Sequence, residues 1–139
     1  MYFLISDRMP GHVLKLGDVV PNFSADTTQG NIDFHSWIQD SWAILFSHPA
    51  DYTPVCTTEL GRVQTLSNEF GKRGVKLIAL SCDEVESHNG WIKDIIAYNN
   101  LSTGFSYPII ADPKRDVAEL YGMMDPDEKD AKGIPLTCR

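Results

Sequence analysis

At 139 residues, 42% of them hydrophobic, the chain is sized for one domain with its own core. A formal charge of −7 argues against nonspecific nucleic-acid binding, and no stretch reaches the ~20 apolar residues of a membrane-crossing helix. Three cysteines without framework spacing fit a reducing, cytoplasmic compartment better than a disulfide scaffold.

Residues 1–10 read as an N-terminal extension of no assigned role, and residues 11–139 as one α/β domain. The apolar run Met1-Tyr2-Phe3-Leu4-Ile5-Ser6 has no basic region before it, so it does not read as a secretory signal. Residues 22–27 and 31–34 alternate apolar and polar around Gln29-Gly30, which predicts a hairpin. Residues 35–40 predict a helical turn, and Trp42-Ala43-Ile44-Leu45-Phe46-Ser47 a buried strand. Pro49 and Pro54 then interrupt regular structure. Leu60, Val63, Leu66 and Phe70 recur at helical spacing, which predicts a helix over about residues 57–73. Residues 75–81 read as a second buried strand. Asp83 with Glu86 resembles a capping box opening a helix that runs to about Tyr98. Residues 108–111 read as a third strand, and Asp112-Pro113 as an N-cap with proline at the first helical position. Alternating strands and helices predict parallel neighbours in one sheet.

Cys56 falls in the first turn of the helix after the proline loop, or just before it. Free backbone N–H groups and the positive end of the helix dipole favour an anion there, so the thiol is expected to exist partly as thiolate, its reactive form. The competing reading is a buried structural cysteine.

The pattern Pro49-x-x-x-Thr53-x-x-Cys56, with Glu59 three residues on, resembles the peroxiredoxin active-site signature. Phe46-Ser47-His48-Pro49, the run from Tyr52 to Gly61, Lys76-Leu77-Ile78-Ala79-Leu80-Ser81 and Asp125-Pro126-Asp127-Glu128-Lys129-Asp130 extend the likeness to the one-cysteine group, the peroxiredoxin six type. The resemblance implies a thioredoxin-like fold with an N-terminal β-hairpin. It also implies further core strands and a helix beyond Arg139, so the domain is expected to be incomplete. The implied activity is a thiol-dependent peroxidase that reduces hydrogen peroxide and organic hydroperoxides through a Cys56 sulfenic acid. No metal or organic cofactor is implied.

On the same footing, Thr53 and Arg139 are the expected donors at the breaking O–O bond. Pro49 shields the sulfur, His48 contacts it or lines the pocket, and Glu59 holds an arginine, either Arg62 or Arg139. The implied partners are a hydroperoxide, an external thiol reductant such as glutathione with a transferase, and a second copy of the chain. Cys82 reads as an apolar filler, while Cys138 is open to disulfide exchange with Cys56. Members of this group are also described as phospholipases, but Gln39-Asp40-Ser41-Trp42-Ala43 lacks both glycines of the Gly-x-Ser-x-Gly turn, leaving only His35 and Ser41. A metal site from His48, Cys56, Cys82 and His88 lacks any close ligand pair. A cysteine hydrolase would need an ordered histidine and amide or acid partner, and the peroxidase signature accounts for the same residues better. The alternative from another class is a catalytically silent thioredoxin-like fragment that acts by binding or oligomerising.

Overall fold

A computed structural model describes residues 13–139; the N-terminal extension over residues 1–10 lies outside the described residues. Strands β1 (Ser24–Thr27) and β2 (Gly30–Asp33) form the expected hairpin, antiparallel in register from Ser24–Asp33 to Thr27–Gly30. Gly30 takes φ +98°, a conformation that glycine adopts without a Cβ penalty. Phe34 leaves the hairpin to begin α1 (Phe34–Ile38), because Asp33 caps it by accepting from the Ser36 N–H.

Strand β3 (Trp42–Ser47) leads through the proline loop into α2 (Pro54–Thr65). The helix starts three residues earlier than the apolar periodicity indicated. Pro54 does not break it but occupies its first turn, where a missing N–H costs nothing. The expected single helix also divides at Leu66, whose N–H is shared between the Arg62 and Val63 carbonyls at 3.2 and 3.1 Å. That tighter turn separates α2 from α3 (Ser67–Gly71).

Strand β4 (Val75–Ser81) is followed by α4 (Val85–Tyr98), whose N-cap is Glu84 and not Asp83. The Asp83 carboxylate is drawn away from the helix, accepting from the Ser81 hydroxyl at 2.8 Å and the Asp51 N–H at 2.9 Å. After β5 (Ile109–Ala111), α5 spans Asp116–Leu120 with Arg115 as its cap, not Asp112. A turn intervenes, but the Asp112 carboxylate still reaches the helix start, accepting from the Val117 and Ala118 N–H groups at 3.2 and 2.8 Å. Strands β6 (Met124–Lys129) and β7 (Pro135–Thr137) form a separate antiparallel pair.

The main sheet has the order β2-β1-β5-β4-β3, with β3, β4 and β5 parallel. β4 lies inside it and is covered on both faces, which explains its continuous apolar run. Leu77 and Ala79 face one cluster with Cys56, Leu60, Trp91 and Ile95 from α2 and α4. Ile78 and Leu80 face the other, with Phe23, Phe34, Val117 and Ala118.

Close approach of α2 and α4 depends on Gly61. A Cβ there would stand 2.1 Å from the Asn99 side-chain nitrogen, which itself donates to the Thr57 carbonyl at 3.0 Å. Gly61→Ala is therefore expected to lose about 1–3 kcal/mol of stability in urea unfolding, despite alanine's better helix propensity. An unchanged or raised midpoint would show that Asn99 yields freely.

Candidate active site

Cys56 sits in the first turn of α2, fully buried. The backbone forces that position. Tyr52 takes φ +59°, in the left-handed region, and Thr53 is extended before Pro54 opens the helix. No side chain caps α2. The Thr53 hydroxyl donates instead to the Ala50 carbonyl at 3.2 Å, which leaves its oxygen lone pairs to accept. The first-turn N–H groups consequently have no intrahelical partner and point where negative charge is favoured.

Arg139 reaches this point from the far end of the chain. The Thr137 hydroxyl donates to the His48 carbonyl at 2.7 Å, and the Ser47 hydroxyl donates to the Cys138 carbonyl at 2.7 Å. These two bonds clamp β7 against the proline loop and deliver the Arg139 guanidinium to the cysteine. Its Nη2 donates to Cys56 Sγ at 3.6 Å, and its Nε lies 3.2 Å from Glu59 Oε2. The hydrogen bond to the sulfur, followed by the charges of Cys56 and Glu59, pushes the guanidinium pKa further up, so it stays cationic. Both members of the Arg139–Glu59 pair are about half exposed, at 48% and 45%, so the pair orients the arginine more than it stabilises the fold. A cavity of about 320 Å³ opens beside them, lined by Phe46, His48, Glu59, Leu60, Val63 and Arg139 among others.

His48 does not hydrogen-bond the sulfur. Its Nε2 lies 2.9 Å from Asp51 Oδ1, and its Nδ1 is buried without a partner. Asp51 Oδ2 accepts from the Ser87 hydroxyl at 2.8 Å and from His88 Nδ1 at 2.7 Å, while His88 Nε2 meets the Ile110 carbonyl at 3.0 Å. Trp91 joins this cluster to the cysteine helix. Its ring centroid is 4.9 Å from that of His48, and its Nε1 donates to the Thr57 hydroxyl at 3.0 Å.

Burial alone would raise the Asp51 carboxyl. The hydrogen bonds from His48 and His88, the His88 charge and the Ser87 bond outweigh it and hold the carboxyl at about 2, against an ordinary 3.8. Because the folded value lies below the unfolded one, this group stabilises the fold above about pH 4 and loses that contribution as pH falls towards 2. The loss is expected to be about 2 kcal/mol, read from denaturant unfolding alongside a carboxyl ¹³C titration of Asp51. A carboxyl titrating near 3.8 would contradict the arrangement.

Of the sequence candidates, Cys56, Thr53, Arg139, Glu59 and His48 converge on the start of α2, while Pro49 lies half-buried in the loop beside them. Arg139, not Arg62, is the arginine that meets Glu59. Cys82 follows β4; burial, then the nearby Asp112 and Asp83 carboxylates, push its thiol up to about 11 despite Arg115, so it is a poor nucleophile near neutral pH. Burial and the neighbouring Asp125 carboxylate also push the Cys138 thiol up. All three cysteines are free thiols. His35 Nε2 meets the Val20 carbonyl and the Ser41 hydroxyl donates to the Ile38 carbonyl, so neither is held against the other as a catalytic pair. The four-residue metal set does not assemble as such: only its two histidines meet, through Asp51, with donor atoms within 4.8 Å. Asp51, Ser87, His88 and Trp91 were not singled out by sequence as part of this site. Asp51 stands three residues from His48, but the contacts that bring in Ser87, His88 and Trp91 span 34 to 37 residues, a separation that no local spacing reveals.

Comparison with known proteins places this geometry among relatives. The AhpC/TSA family profile matches residues 16–137. Peroxiredoxin-6 of Homo sapiens and that of Rattus norvegicus are each 60% identical over 133 residues, covering 94% of this chain and 59% of theirs. The chain thus spans about three fifths of the length of these curated relatives. A Cys-to-Ser mutant of the peroxiredoxin 6 of Arenicola marina superposes with a TM-score of 0.87 at 55% identity, over 91% of this chain and 57% of that one. A yeast mitochondrial 1-Cys peroxiredoxin, whose thiol is resolved via glutathione/thioredoxin systems, superposes with a TM-score of 0.80 at 46% identity, over 88% of this chain and 58% of that one. The fold is thioredoxin-like, of the peroxiredoxin kind.

Proposed function

The chain belongs to the AhpC/TSA family, and from that membership we propose that it is a one-cysteine, thiol-dependent peroxidase acting through Cys56. The observation that carries this reading is the Arg139 guanidinium held 3.6 Å from a cysteine sulfur at the start of a helix that no side chain caps. That arrangement offers donors to the sulfur and to an oxygen gaining negative charge.

The Cys56 thiolate attacks one oxygen of a hydroperoxide. The S–O bond forms as the O–O bond breaks; sulfur loses two electrons and the peroxide gains them. The attacked oxygen stays on sulfur with its hydrogen, giving the sulfenic acid, while the other leaves as hydroxide or alkoxide and takes a proton to become water or alcohol. Arg139 and the first-turn N–H groups meet the charge that develops along the breaking bond, and the Thr53 oxygen accepts the hydrogen of the bound peroxide. Pro49 shields the sulfur from bulk water.

An external thiol then returns Cys56 to the reduced state. Glutathione with a transferase is the proposed source, in keeping with the glutathione/thioredoxin systems of the yeast relative. The resemblance further supports a homodimer, and the free cysteines support a reducing, cytoplasmic setting. Among the described residues, no helix is long and apolar enough to cross a membrane. The proposal is tested by peroxide consumption with a thiol reductant, comparing the chain with Cys56→Ser. A silent fragment that acts by binding alone would show none in either.

A further inference from the structure

We propose that Arg115 is a positioning residue for Arg139: it tethers the start of β7, and the guanidinium two residues past the end of that strand reaches Cys56 only while the tether holds. This rests on the peroxidase reading above. The strand itself is weakly held. β7 has three residues, pairs with β6 alone and lies outside the main sheet, and its register is irregular between Met124–Thr137 and Lys129–Pro135. A two-stranded pair is marginal by itself, so bonds to the rest of the molecule set where β7 lies. Near the site these are the Thr137 and Ser47 hydroxyl bonds, with the Cys138 N–H donating to the Met123 carbonyl at 2.9 Å. At the other end the tether is Arg115. Its Nε donates to the Pro135 carbonyl at 2.7 Å, and its Nη2 lies 3.8 Å from Asp130 Oδ2. The same Asp130 carboxylate shapes the turn into β7, accepting from the Lys132 and Ile134 N–H groups at 2.8 and 2.9 Å. Arg115 Nη1 donates to the Pro113 carbonyl at 2.9 Å, which braces the guanidinium against its own loop.

The local structure around Arg115 does not call for an arginine. Its backbone takes φ +64° and ψ 17°, a left-handed conformation uncommon for a residue with a Cβ. It stands at the N-cap of α5 without making a side-chain capping bond, and a cation is the wrong charge for a helix N-terminus. Asparagine or glycine would suit both the cap and the backbone better. Yet the arginine side chain is only 18% exposed, a long charged group ordered against β7. The tether to Pro135 and Asp130 accounts for the residue type where the helix does not.

Arg115 bonds to Pro113, Pro135 and Asp130, so its effect on the reaction runs through Arg139. A strand fixed at one end can pivot there. The Arg139 contact with Cys56 Sγ is 3.6 Å long, and a donor meets a developing charge only when it is aimed at it. A displacement of about 1 Å far from the chemistry is enough to slow a reaction on the order of a hundredfold.

The test is a double-mutant cycle on the second-order rate constant for Cys56 sulfenic acid formation, using Arg115→Asn, Arg139→Ala and both together. Asparagine keeps the cap and accepts the left-handed backbone but is too short to reach Pro135. Arg115→Asn alone is expected to slow the reaction about 10- to 100-fold with its thermal midpoint retained or raised. In the Arg139→Ala background the same change is expected to cost less than about twofold. An equal loss in both backgrounds, or no loss in either, would overturn the proposal while leaving the peroxidase reading intact. Nitrogen-15 NMR gives a readout that does not depend on turnover. The Arg139 Nε–H signal, set apart by the Glu59 pair, is expected to move to the position of a solvated arginine in Arg115→Asn, and an unmoved signal would overturn the tether. Should Arg115→Asn not fold, Arg115→Gly replaces it, because glycine takes that backbone without penalty. Failure of both to fold would also overturn the proposal, since Arg115 would then hold the fold and not the arginine. A wild type inert to peroxide would remove the peroxidase reading, and the Arg139 signal would still decide the tether.

Discussion

Cys56→Ser is expected to abolish peroxide consumption, whereas Cys82→Ser keeps most of it. The serine hydroxyl fits the buried site but is neither ionised nor nucleophilic enough near neutral pH to displace oxygen from oxygen. Cys82 offers no substitute, because its thiol is pushed up to about 11, burial being the largest cause. Stopped-flow measurement with hydrogen peroxide and a thiol reductant separates the two variants. Equal losses in both would sink the one-cysteine assignment, since Cys82 would then be a second redox centre.

Arg139→Ala is expected to slow peroxide attack by about 10²–10³-fold, in line with the loss of one oriented donor at a developing negative charge. Folding should barely change, because solvent screens the half-exposed pair with Glu59. Arg139→Lys should recover part of the rate. It keeps the charge but not the planar fork that engages sulfur and Glu59 together. The decisive comparison is the second-order rate constant against the thermal midpoint. A rate unchanged in Arg139→Ala would return the residue to a solvated cation beside the site, whatever its distance from Cys56.

Legibility varied along the chain for physical reasons. The bounds of β3 and β4 were readable to the residue, because both are continuous apolar runs with abrupt ends, but β3 is the sheet's edge and leaves Trp42 and Ile44 exposed at 75% and 41%, where the run had indicated a buried strand. Helix boundaries were less so. Asp83 and Asp112 carry the residue types of N-caps, but tertiary hydrogen bonds claim the Asp83 carboxylate and a turn shifts the helix after Asp112. Pro54 read as a breaker and starts α2, since proline is tolerated only in a helix's first turn and the sequence does not say which turn that is.

The site divided in the same way. Cys56, Thr53 and Pro49 lie within eight residues, so their spacing carried the signal. Arg139 was legible only through a family resemblance. The structure adds what brings it home, the Thr137 and Ser47 hydroxyls that hold β7 against the loop. The buried His48–Asp51–His88 trio was illegible because its members belong to a loop and to a helix beyond an intervening strand. His88 alone in a sequence carries no sign of the carboxylate it meets.

The central claim, that this chain builds a peroxide-reactive site around Cys56, is tested most directly by intact mass spectrometry. The chain and Cys56→Ser would each receive one equivalent of hydrogen peroxide with a sulfenic-acid trapping reagent. The account predicts a single adduct, formed within seconds, that maps to Cys56 and is absent from the variant. Slow labelling scattered over Cys56, Cys82 and Cys138 would contradict it, because the oriented arginine would then confer no selectivity on the thiol it contacts.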